Sequence, residues 1–166
     1  MQFVMVVLRL AHIGAGAFWV GSGLMLVLVI LPALRRSGAE AGQRLPMAQI
    51  SQAMAISSLI TTIAGVILYI LVSGFAGPWM ASPMGIGLSI GAVAGLAAFL
   101  VGLLSTGPTS SRMGELGARL QAAGGPPAPE QLAEMRQLQA KLNTSSMWSV
   151  ILSTLSLAFM AVARYL

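Results

Sequence analysis

Between Arg44 and Arg112 the chain runs 67 residues, 45–111, without one Asp, Glu, Lys or Arg. A soluble domain carries about 25% charged residues and cannot spare so long a bare stretch. One helical crossing of a bilayer takes about 20 apolar residues, so this run holds two crossings and the turn between them. A second uncharged run, 10–34, precedes it, and a fourth apolar segment closes the chain. Over the whole sequence, 57% of residues are hydrophobic and 8% are charged.

Hydropathy places four spans, about 4–34, 47–73, 86–105 and 147–165. The expected fold class is all-α: an integral membrane four-helix bundle, forming one membrane domain over 1–166. The N-terminus lacks the positively charged start of a cleavable signal peptide, and its apolar run is too long for one, so it reads as a retained first span. With no cysteine, disulfides, thiolate metal sites, iron–sulfur clusters and cysteine nucleophiles are excluded.

The net charge of +5 does not point to nucleic acid, because the nine basic residues are scattered at span edges rather than gathered on one face with aromatics. They act instead as a topology signal. Arg35, Arg36 and Arg44 lie in the first connection, and Arg112, Arg119, Arg136 and Lys141 in the third, whereas the second connection carries no charge. Basic residues favour the cytoplasmic side, so both termini are expected outside, in what reads as a bacterial inner membrane.

The third connection has its own pattern. Met113, Leu116 and Leu120 share a helical face after a start at Ser110 or Ser111, then "GGPPAP" interrupts. Pro129 opens a second helix striped with Leu132, Met135, Leu138 and Leu142. A cytoplasmic amphipathic hairpin over about 109–143 is expected between spans three and four. Its stripes pack either on the membrane or a partner, or on the chain itself.

Span three carries Gly87, Gly91 and Gly95 at four-residue spacing, with Gly102 a heptad further. Such a row lets another backbone approach closely, so these glycines are read as helix-packing positions, against another span or a second protomer. Spans two and four add hydroxyls, among them Ser58, Thr61, Thr62, Tyr69, Ser149, Ser153 and Ser156, which serve packing or line a polar pocket.

The only histidine, His12, lies inside span one, a turn after Arg9. An ionisable side chain there suggests function by default, although a neutral imidazole bonded to a Ser or Thr of a neighbouring helix is a sufficient structural account. Two ligand readings compete with that account. Haem b calls for an axial imidazole, a flat slot and a cation for its propionates, which His12, Gly16 with Trp19, and Arg9 could supply. Copper(I) calls for imidazole and thioether, and "MASPM" offers Met80 and Met84 on the same side of the membrane. No span holds Asp or Glu, so no catalytic residue is assigned and proton-abstracting or hydrolytic chemistry has no support.

His12, six residues, Trp19, then Gly21 and "LVLVILPALRR" resemble the first span of the membrane families typified by the copper-resistance protein CopD and by HemJ, the protoporphyrinogen oxidase. The resemblance covers about the first 36 residues. It implies a small four-span relative in which His12 keeps a haem-ligand position without the full activity. The functional expectation is therefore a membrane binding or accessory protein, holding haem b through His12 in electron transfer or haem handling. The alternatives are a non-catalytic structural subunit of a larger membrane assembly and copper handling through His12, Met80 and Met84. Expected partners are the lipid bilayer and either other membrane subunits or copies of the chain.

Overall fold

A computed structural model describes residues 2–37 and 47–166. Glu40 and Arg44 of the first connection lie outside the described residues. Those described form helices and turns, with no strand. Helix α1 covers 2–37, α2 is Met47–Ser73, α3 is the single turn Gly77–Met80, α4 covers Pro83–Ala123 and α5 covers Pro129–Tyr165. Four of them, α1, α2, α4 and α5, are long and apolar enough to cross a membrane, and the chain is an all-α integral membrane bundle.

Two prolines fall inside long helices without ending them. Pro32 and Pro108 cannot donate to the carbonyl four residues back, and their rings collide with it. In each case the helix widens just upstream into a π turn, Leu26–Ile30 before Pro32 and Gly102–Thr106 before Pro108, closed by Leu31 N–H to Leu26 O and Gly107 N–H to Gly102 O. The wider turn absorbs the missing bond and the helix continues. Consequently α4 passes through the point where a fresh helix was expected, and Ser110 and Ser111 lie within it rather than capping a new start. The break falls at Gly124, whose left-handed backbone (φ 64°) terminates α4. Pro129 then begins α5, with the Gln131 side chain accepting from the Ala128 N–H at 2.9 Å.

The hairpin is thus the continuation of spans three and four, and its 107–123 arm extends about 25 Å along the axis of α4. Its stripes close on each other: Leu116 is buried, Met113, Leu120, Met135, Leu138 and Leu142 are half-buried, and the two arms are in contact. Leu132 stays 42% exposed.

Consecutive helices pair antiparallel, α1 with α2 and α4 with α5, and the pairs touch mainly through α2–α4 and α1–α5. On α1–α2, small residues face larger ones in one register, His12 against Gly65 and Gly16 against Thr61, while Gly23 lies between Met54 of α2 and, closer, Val150 of α5. On α4–α5, Gly87 faces Ala163 and Leu166, Gly91 faces Met160 and the Ser156 carbonyl, and Gly95 faces the Ser156 hydroxyl. The glycine row therefore meets span four of its own chain. Gly102 takes no part, since a Cβ there would meet nothing within 4 Å.

The accessible surface is 10,590 Å², against about 7,800 Å² for a soluble monomer of this mass. Buried positions are mostly Gly, Ala and Ser, while Phe3, Val93 and Leu104 are at least 70% exposed. Lipid solvates apolar side chains as well as protein does, so close backbone approach, rather than hydrophobic burial, holds such a bundle together.

Candidate functional site

The α1–α2 seam holds the polar cluster built on His12, the only histidine of the chain. His12 is half-buried, and its Nδ1 lies 2.8 Å from the backbone carbonyl of Thr61 on α2. A carbonyl only accepts, so Nδ1 carries the proton and, in the neutral ring, Nε2 is left as an acceptor. The same carbonyl also closes its own helical turn with the Gly65 N–H. Room for the ring comes from the glycine: a Cβ on Gly65 would stand 2.7 Å from His12 Cε1 and 2.8 Å from Nδ1.

Thr61 contributes a second feature. Its Oγ1 is shut into the seam with no partner, the only such occluded side-chain polar atom among the described residues. Threonines in helices commonly bond back to a carbonyl of the preceding turn. Here the methyl faces the bare Gly16, 3.4 Å from where a Cβ would sit, and the hydroxyl is left unbonded. His12 Nε2 makes no hydrogen bond either, but it is not among the occluded atoms, so it opens to the surface.

The expected ligand set is only partly brought together. Arg9 is exposed one turn before His12. Gly16 is covered by Thr61, and Trp19 is buried at 9% exposure, so neither shapes an open slot beside the imidazole. Met80 and Met84 sit in and after α3, past the end of α2, whereas Gly65, level with His12, lies about 12 Å of helix rise before Ser73. Among the described residues, no group of three or more His, Cys, Asp or Glu side chains could hold a metal ion.

The other span hydroxyls act mostly as packing groups. Ser58 donates to Ala55 O at 2.8 Å and Ser153 to Val150 O at 3.1 Å. Ser156 donates across to Gly91 O at 2.7 Å in a buried bond, and Ser149 reaches Ala98 O at 3.4 Å. Tyr69, one turn beyond Gly65, bonds Ser89 Oγ at 2.7 Å. Because the Ser89 hydroxyl donates to Gly85 O, the tyrosine is the donor in that link between α2 and α4. The Tyr69 ring also meets Phe75 and Trp79 edge-on, with centroids 6.3 and 5.9 Å away.

Sequence reasoning groups Gly65 and Thr61 with the hydroxyls of span two as a candidate polar pocket, but it misses that Gly65 faces His12 and that the Thr61 carbonyl is the acceptor. A backbone acceptor has no signature of its own, and Gly65 stands out only after α1 and α2 are set antiparallel. Compared with known proteins, the chain matches no family model, no curated protein and no solved structure.

Proposed function

We propose that this chain is a non-catalytic, multi-pass membrane subunit in which His12 bonds the first two spans together, and which associates laterally with other membrane chains or with copies of itself. The observation that carries the reading is the Nδ1 bond to Thr61 O over the cut-out at Gly65. It supports a structural use of the lone intramembrane imidazole, the use that polar groups between spans commonly have. Lateral association is supported by the far side of α1. Gly14 and Gly21, a heptad apart, are exposed, have nothing within 4 Å of an added Cβ, and flank the exposed Ala17. Basic residues in the hairpin favour a cytoplasmic location for it, with both termini outside.

The test is purification in mild detergent. The native chain is expected to run as an oligomer or with stoichiometric partner chains, and Gly14→Leu/Gly21→Leu to run alone. A native chain that is already monomeric and partner-free would refute the reading.

One observation favours a second reading, in which His12 is an axial haem b ligand: Nε2 keeps its lone pair, with the ring oriented by a bond at Nδ1 as in many ligating histidines. The first-span resemblance points the same way. Gly16 and Trp19 are taken up by helix packing, so within this chain only His12 and the neighbouring Arg9 fit the group, and a second chain would have to complete the site. When bound, such a haem supplies one-electron chemistry. A Soret band after haem-replete expression, lost in His12→Ala, would establish this reading.

A further inference from the structure

Where α4 widens into its π turn, a groove of about 500 Å³ opens between α4 and α5, lined by Val101, Ser105, Ala140, Lys141, Thr144 and Trp148. Lys141, Thr144 and Trp148 stand at i, i+3 and i+7 on one face of α5, and Val101 and Ser105 at i, i+4 on α4. Because the helices are antiparallel, the groove is sorted along its length. Val101 and Trp148 form its membrane end, and Ser105, Lys141 and Thr144 its hairpin end.

From these residues we infer that the groove binds an anionic glycerophospholipid of the leaflet on the hairpin side. The phosphodiester is held by the Lys141 ammonium and the Ser105 and Thr144 hydroxyls, and an acyl chain runs down past Val101 and Trp148. Three observations fix the occupant. Lys141 lies about 9 Å of helix rise outside Met147, where the apolar part of α5 begins, which puts its backbone at the depth of the headgroup layer. Trp148 is 56% exposed at the level where indoles settle at a membrane boundary. The lining includes one cation and no carboxylate, which favours a headgroup of net negative charge over a zwitterionic one.

Native mass spectrometry of the detergent-purified chain tests the site, using phosphatidylglycerol and phosphatidylcholine of identical acyl chains. The native chain is expected to retain one phosphatidylglycerol, favoured about five-fold or more over phosphatidylcholine. Lys141→Ala should lose that preference with its helix content unchanged, Lys141→Arg should keep it, and Arg112→Ala, which alters a hairpin cation outside the groove, should also keep it. Equal retention in Lys141→Ala, or an equal loss in Arg112→Ala, would overturn the inference, the latter by showing diffuse attraction. Displacement of the lipid by excess inorganic phosphate would also overturn it, since the site would then recognise a free anion.

Discussion

Adding a single methyl at Gly65 should set the α1–α2 seam against itself. A Cβ there would lie 2.7 Å from His12 Cε1 and 2.8 Å from Nδ1. To restore an ordinary carbon contact the ring must retreat by roughly 0.7–1 Å, which breaks its 2.8 Å bond to Thr61 O. Overpacking costs about 1–3 kcal/mol and the lost interhelical bond about 0.6–1.7 kcal/mol, while Ala returns about 1 kcal/mol of helix propensity. Gly65→Ala should therefore destabilise by about 1–3 kcal/mol. His12→Ala, losing the bond and leaving a partly open void, should cost about 2–3 kcal/mol. In the double variant the new methyl occupies the space the ring has left. Its stability should exceed that of His12→Ala alone, giving a coupling of 2 kcal/mol or so in the favourable direction. Unfolding of the four proteins in mixed micelles, followed by circular dichroism, measures the cycle. Costs that add to within about 0.5 kcal/mol would show that the ring does not rest on Gly65.

On the other pair, Ser156→Ala should weaken α4–α5 by about 0.6–1.7 kcal/mol, read in the same assay, through loss of the buried bond to Gly91 O. Gly91→Leu should cost several-fold more than Gly102→Leu, since a Cβ at Gly91 stands 2.9 Å from Met160 Cγ and one at Gly102 meets nothing within 4 Å. At the outer turn, Gly85→Ala drives a methyl into the Trp79 carbonyl and should lower the melting temperature by more than any other single Gly→Ala change in α4. In the hairpin, Leu116→Asp should separate the two arms and raise protease cleavage around residues 124–128 while leaving the spans folded, as gel fragments would show.

The four crossings were legible because bilayer thickness translates directly into length of uncharged sequence. The break after Ala123 was legible too, since a left-handed Gly124 and the prolines after it have local signatures. What local signals could not reveal was continuity. Pro108 reads as a stop, and only the five-residue π turn before it, matched by the one before Pro32, shows how the helix passes through. The partner of the glycine row was equally hidden, because Gly87, Gly91 and Gly95 advertise closeness without saying to what. At the candidate site, His12 was conspicuous and its setting was not. Gly16 and Trp19 suggest a slot when α1 is viewed alone, and only the antiparallel register with α2 reveals that Thr61 fills the space at Gly16.

Unbroken helices make the bundle a mechanical object. Because α4 and α5 leave the membrane without a joint, their tip is the far end of two levers whose short arms are spans three and four. With an arm of about 25 Å, a 10° change in span tilt would sweep the tip through about 4 Å, enough to make or break a contact in the aqueous phase. Changes in bilayer thickness alter span tilt. The π turn at Gly102–Thr106 lies at the fulcrum, where α4 passes from span three into the hairpin.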